Sequence, residues 1–232
     1  MELINNYTIQ TFIPNNVVSF KNIQITKTIM ENDSFKKYEA TTEVKGEYIV
    51  CNDITKLKQH HTNNNKRETY EQYLVFLSNR DIEIDRWIYN IIDGIAEQDK
   101  ILFKDDNMII IPTYIWDSQN IEKLHILCLP TNKSIRTIRE LTKEHISLLE
   151  SMKQTTLKVI NEKYGLKEES LNMFFHYEPS TYHLHIHFVN VNHNKYKKSL
   201  YTMRYSHDLD TVIFNLKIDS DYYKKIRLNR RT

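Results

Sequence analysis

Three histidines, His183, His185 and His187, alternate with Leu184 and Ile186 in the stretch FFHYEPSTYHLHIHF, and His176 lies just upstream. Alternate residues of an extended strand share a face at a spacing of about 6.6 Å. The three imidazoles would therefore point one way, with Leu184, Ile186 and Phe188 turned into a core. Such a row can do two kinds of chemistry. A zinc site needs three or four ligands about 2.0–2.1 Å from one ion. Two alternate histidines can meet that, but the outer pair is far apart and no Asp, Glu or Cys cluster sits beside them. Alternatively, a neutral imidazole attacks phosphorus and carries the phosphoryl group covalently. A second imidazole then fixes its tautomer, and a third donates to phosphate oxygens. The bland alternative is a solvated strand face, which fits poorly with an intact apolar face opposite. Spacing favours nucleophilic catalysis and leaves a metal open.

The elements that must hold this row are legible around it. In IDRWIYNIIDGIAEQ, the residues Ile84, Trp87, Ile88, Ile91, Ile92 and Ile95 form one apolar stripe at helical spacing. KILFKDD, NMIIIPTY and KLHILCLP are short apolar runs bounded by turn residues and predict three strands. A long helical region follows from SIRTIREL to NEKYGL, with Thr142 as an N-cap and Gly165 as its stop. LNMFFHYEP and HLHIHFVNV predict two further strands, and a strand and a helix close the chain. Upstream, NVVSFKNIQITKTI and KGEYIVCN read as strands, and DITKLKQHH and KRETYEQYLVFL as short helices. The order predicts an α+β fold, a mainly antiparallel sheet with helices packed on it. HHTNNNKR is a polar break, and we expect a small N-terminal domain over residues 1–80 and a larger one over 81–232.

Composition excludes little but bounds the class. The chain has 232 residues, is 40% hydrophobic and carries a net charge of +2, with no long basic block for generic nucleic-acid coating. The basic C-terminal tail, KKIRLNRRT, reads as part of a solvated terminal helix. Cys51 and Cys128 are the two cysteines and form no CxxC pair, so neither a disulfide scaffold nor a cysteine zinc site is expected. No basic-then-apolar leader and no run of eighteen apolar residues is present, so a reducing intracellular setting is the expectation.

HLHIHF followed by Val189 has the form of the histidine triad (HIT) signature, and the whole stretch FFHYEPSTYHLHIHF closely resembles the scavenger mRNA decapping enzyme (DcpS) family. RWIYNIIDGIAEQDKILF resembles that family's tryptophan-bearing helix. IIIPTYIW, SIRTIRELTKEHISLL and KRETYEQY also resemble family segments in the right order, over roughly residues 47–192. The resemblance implies a HIT-like fold preceded by a shortened N-terminal lid and dimerisation domain. It also implies a metal-independent pyrophosphatase with no cofactor, acting as a homodimer in the cytoplasm, the nucleus or both. Its substrate would be the 7-methylguanosine cap dinucleotide or a short capped RNA left by 3′-to-5′ mRNA decay. Neither DNA nor a membrane is an expected partner. His185 falls on the nucleophile, with His183 orienting it. His187, His176 and Ser180 fall on phosphate-contacting positions. Trp87 matches the residue that stacks on the cationic base, a contact worth about 0.5–2 kcal/mol. Glu97 matches the acid that reads the guanine edge. Ten residues after Trp87, almost three turns, a straight helix would put it on nearly the same side. Lys56 (or Lys58) is the expected equivalent of a lid lysine.

The sequence departs from the family at four places. Thr113 replaces an acid and Ile115 a phosphate-contacting lysine. His125 and Thr181 each stand where a tyrosine contacts phosphate. His125 can still donate to phosphate; Ile115 cannot. Two other functions remain open at this level: a HIT hydrolase of other dinucleoside polyphosphates or nucleoside phosphoramidates, and a cap-binding protein that no longer catalyses.

Overall fold

A computed structural model describes strand residues 10–13, 16–19, 24–31, 35–41 and 46–51, and then residues 66–114, 116–193 and 205–230. The chain divides into two compact units, Met1–Asn63 and Asn64–Thr232. In the first, strands β1 (Gln10–Ile13) and β2 (Asn16–Ser19) form an antiparallel hairpin. A three-stranded sheet is formed by β3 (Gln24–Glu31), β4 (Phe35–Thr41) and β5 (Gly46–Cys51).

The second unit begins earlier than the expected boundary at residue 80. Strand β6 (Lys66–Glu68) pairs antiparallel with the C-terminal strand β13 (Leu228–Arg230). The adjoining helix α1 (Tyr70–Ser78) buries Tyr73, whose hydroxyl accepts from Thr137 at 3.1 Å. Thr69 starts α1 with a reciprocal capping box to Gln72. The fully buried Arg139 fastens this end, donating to the carbonyls of Glu68 (2.6 Å), Tyr223 (2.7 Å) and Ile226 (2.7 Å). A buried guanidinium is tolerated because its donors are satisfied and Glu68 lies beside it.

The centre of the unit is a six-stranded, wholly antiparallel sheet. Its strands are β7 (Phe103–Lys104), β8 (Met108–Pro112), β9 (His125–Pro130), β10 (Leu171–His176), β11 (Ile186–Asn190) and β12 (Ser206–Asp208), in the spatial order β12-β10-β11-β9-β8-β7. One face carries Met108, Ile110, Ile126, Cys128, Met173, Phe175, Ile186 and Phe188 into the main core. Helix α3 (Ile146–Tyr164) and helix α4 (Leu209–Ile218) cover that face through Leu149, Met152, Ile160, Leu209, Val212 and Leu216. Gly165 ends α3 at φ 68°, its N–H donating to Asn161 at 2.8 Å, as the sequence predicts. The expected long helix is shorter at its start, because residues 138–145 form two 3-10 turns instead. The C-terminal tail is not one solvated helix. It makes the four-residue helix α5 (Tyr222–Lys225) and then β13, where Arg230 pairs with Glu68 and lies 4.2 Å over the Phe76 ring. Among the described residues, no helix is long and apolar enough to cross a membrane.

Candidate active site

Strand parity decides what stands on the other face of the sheet. His187 lies opposite Leu127 on β9 and Phe174 on β10, and Leu127 lies opposite Ile111 on β8. That row shares its face with Ile109, Leu129, His125 and His176. Helix α2 (Arg86–Ile92) closes over part of it, with Ile88, Ile91 and Ile92 buried against Ile109, Ile111 and Leu129, and with Trp87 and Tyr89 partly buried alongside. The tryptophan helix and the histidines therefore occupy one side of one sheet, the first requirement for a common site.

The three triad histidines are not one continuous strand, as the alternation predicts. β11 starts only at Ile186. The residues before it leave the ladder because the Leu184 N–H donates to the Ile135 carbonyl in a neighbouring loop, at 2.8 Å. The departure gives the imidazoles separate surroundings. His183 is fully buried, with Nε2 2.7 Å from the Pro130 carbonyl and its ring edge-on to Tyr89 at 5.8 Å. His185 is half-buried, with Nδ1 2.7 Å from the His183 carbonyl oxygen. A carbonyl only accepts, so Nδ1 carries the proton of a neutral ring and Nε2 keeps its lone pair. The orienting element is thus the main-chain oxygen of His183, while its ring anchors the loop. His187 is the hub of the remaining imidazoles. Its centroid lies 4.4 Å from His176, 4.9 Å from His185 and 5.1 Å from His125, and it stacks on Phe174 at 5.1 Å with a 12° interplanar angle. Nδ1 of His187 lies 2.8 Å from Nε2 of His125. Among the described residues, no group of three or more His, Cys, Asp or Glu is placed to hold a metal ion.

Burial sets the protonation of His185 and His183. It lowers the pKa of His185 below the ordinary imidazole value, partly opposed by the His183 carbonyl, so its Nε2 stays unprotonated and nucleophilic at neutral pH. Burial pushes His183 down from 6.5 to about 4, the Pro130 carbonyl again opposing. The folded state thus holds fewer protons on His183 than the unfolded chain between those values. Its contribution to stability is intact above about pH 6.5 and is lost as pH falls toward 4, by up to about 3 kcal/mol. Urea midpoints at pH 7 and pH 5 should show this loss, and His183→Gln should reduce it. Equal loss in both proteins would assign it to other groups.

Trp87 and Glu97 do not lie on one straight helix. Helix α2 ends at Ile92, Gly94 turns the chain at φ 80°, and Glu97 itself has φ 54°. The reversal is stabilised locally. The N–H groups of Ile95 and Ala96 donate to Asn90 at 2.8 and 3.1 Å, the Gln98 amide donates to Ile91 and Ala96, and Lys104 donates to Ile92. These donors satisfy the carbonyls that a helix end leaves open. Ile95, expected on the buried stripe, is 72% exposed as a result. Glu97 is partly buried in the returning loop, 3.3 Å from Lys100. Its left-handed backbone is unusual for a residue with a side chain and is a form of local strain found at functional sites.

The other expected residues fall as follows. His176 is half-buried at the end of β10, ring to ring with His187, and Ser180 is exposed in the loop before the triad. His125 is only 1% exposed, so an effect on phosphate would pass through His187. Thr113 and Thr181 are both buried. Lys56, Lys58 and Ile115 lie outside the described residues. Two groups that sequence reasoning passes over also shape the site. Phe174 supplies the stacking wall of His187. Asp85, the residue before α2, accepts from Arg80 at 2.8 and 2.9 Å and from the Tyr182 N–H at 3.1 Å. It so ties the start of the tryptophan helix to the loop entering the triad. Register identifies Phe174; a buried acid at a helix start leaves no comparable signal.

Known proteins resemble this chain in sequence over the span that carries these residues. Residues 86–201 match the family model described as scavenger mRNA decapping enzyme C-term binding. The m7GpppX diphosphatase of Ascaris suum is 34% identical over 222 residues, covering 87% of this chain and 71% of its own length. That of Caenorhabditis elegans is 37% identical over 146 residues, covering 61% of this chain and 46% of its own, so this chain spans about half of that relative. A crystal structure of the aprataxin ortholog Hnt3 from Schizosaccharomyces pombe shows a likeness at 18% identity and a TM-score of 0.42, over 66% of this chain and 87% of that one. The matched span contains the tryptophan helix, His125 and the whole triad: the chain belongs to the scavenger mRNA decapping enzyme family.

Proposed function

We propose that the protein hydrolyses the 7-methylguanosine cap dinucleotide, or short capped RNA, releasing 7-methylguanosine monophosphate. Nε2 of His185 attacks the phosphorus next to 7-methylguanosine, forming an N–P bond as the P–O bond to the bridging oxygen breaks. The nucleoside diphosphate, or diphosphate-ended RNA, departs. Water then attacks the same phosphorus, the N–P bond breaks, and the neutral imidazole returns. The observation that carries this reading is the hydrogen bond from His185 Nδ1 to the His183 carbonyl, which leaves a lone pair on Nε2. His187 stands beside it and His176 lies against His187, both suited to donate to phosphate oxygens as charge develops.

Trp87 would take the methylated base. The 7-methyl group makes guanine cationic, and an indole face attracts that charge. Glu97 would accept hydrogen bonds from the guanine edge. It first has to leave Lys100, a small cost because a solvent-accessible ion pair is worth little. Trp87→Ala is expected to weaken binding of methylated cap about 2- to 30-fold while changing binding of unmethylated cap much less. Titration with both ligands checks this; equal losses would mean that the indole does not read the methyl charge. We extend the reading to a homodimer. A monomeric mass by light scattering at assay concentration would contradict the dimer.

A further inference from the structure

His125 is the chain's own departure at a position where the family resemblance implies a tyrosine on phosphate. Its surroundings give it a different task. The ring is buried on β9, directly beside β11, and its Nε2 is taken up by Nδ1 of His187 at 2.8 Å. A bond between two ring nitrogens holds one proton, so one ring donates and the other accepts. The direction matters for whatever His187 faces. If His187 donates from Nδ1, a neutral ring presents a bare lone pair at Nε2 and repels phosphate oxygens. If His125 donates, His187 carries its own proton at Nε2 and becomes a donor toward an anion.

The stacking geometry limits the alternatives. Phe174 lies parallel to His187 and His176 tilts against it, so the ring plane is held and the remaining freedom is a half-turn about Cβ–Cγ, which exchanges Nδ1 with Cδ2 and Nε2 with Cε1. The bond to His125 favours the orientation in which Nδ1, and not Cδ2, faces the His125 ring. We propose that His125 is a positioning residue: its Nε2–H donates to Nδ1 of His187 and holds Nε2 of His187 protonated and turned toward the substrate phosphates. This rests on the cap-cleavage reading for its consequence, though not for the hydrogen bond. It also relates His125 to catalysis through His187 and not by direct contact with phosphate.

The test separates a tautomer role from packing. His125→Phe keeps a ring of similar size and removes the donor. His125→Gln places an amide N–H near the position of the imidazole Nε2. Turnover of methylated cap dinucleotide should fall roughly 5- to 100-fold in the Phe variant with KM within about twofold, since one oriented contact to developing charge is lost. The Gln variant should recover most of that turnover. In parallel, nitrogen-15 spectra of the full-length protein at neutral pH should show Nδ1 of His187 as an unprotonated ring nitrogen in the native protein. That signal should be retained in the Gln variant and altered in the Phe variant. A protonated Nδ1 in the native protein overturns the proposal. So do equal losses in both variants with equal thermal midpoints, which would make His125 a packing residue only. The spectra read the hydrogen bond even if no cap is cleaved, so failure of the cap reading and failure of this inference are distinguishable.

Discussion

His185→Asn is expected to lower kcat for methylated cap dinucleotide by at least about 10³-fold, the scale seen when a nucleophile that works within a unit is removed. The asparagine amide nitrogen can take the place of Nδ1 and keep the hydrogen bond to the His183 carbonyl. What disappears is Nε2, the atom that must bond to phosphorus. Cap binding and the thermal midpoint should therefore change little, because Trp87, Glu97 and the phosphate donors are untouched. Trapping a nucleotidyl adduct by acid quench in the native protein, and failing to do so in the variant, would complete the case. Undiminished cleavage by the variant would remove His185 from the chemistry altogether.

Asp85→Ala should have the largest effect on stability. Asp85 and Arg80 are both nearly fully buried and joined at 2.8 Å, and the guanidinium also lies 4.4 Å over the Tyr182 ring. Removing one partner of a buried pair leaves the other uncompensated, at a cost of about 3–5 kcal/mol. For a unit of this size that corresponds to a thermal midpoint lower by roughly 6–20 °C. The double variant Arg80→Met, Asp85→Leu should recover much of that loss, because a buried ion pair replaced by apolar groups is often nearly neutral. Its turnover should nonetheless stay below that of the native protein, since the Tyr182 N–H has lost the carboxylate that fixes the approach to His183. Full recovery of both stability and turnover would show that Asp85 does not position the loop.

Much of this arrangement is legible in the sequence, for identifiable reasons. The strands β8 and β9 are legible as short apolar runs between turn residues; the fold then puts Ile109 and Ile111 on one face and Met108 and Ile110 on the other. The Gly165 stop is visible because few residues besides glycine accept the left-handed conformation cheaply. The helix carrying Trp87 is visible as a stripe, but its end is not. Ile95 continues the helical period, whereas Gly94 and the side-chain donors Gln98 and Lys104 turn the chain back. Tertiary hydrogen bonds defeat the pattern there, and they also move Glu97 into a loop. The triad behaves similarly. Alternation assigns three imidazoles to one strand, but the pairing of Leu184 with Ile135 lifts the first two off the ladder. The boundary near residue 80 fails because pairing of Lys66–Glu68 with the distant C-terminal strand has no local signature. The His125–His187 bond joins residues 62 positions apart and is visible only in the fold.

The central claim is cleavage of a cationic cap, and one assay reads both the cleavage and the charge. Purified full-length protein is incubated with cap dinucleotide, with and without the 7-methyl group, and products are separated by chromatography. The account predicts 7-methylguanosine monophosphate and a nucleoside diphosphate from the methylated substrate, with kcat/KM higher than for the unmethylated one by about 2- to 30-fold. Equal cleavage of the two substrates, or tight binding of the methylated cap with no product, would contradict it.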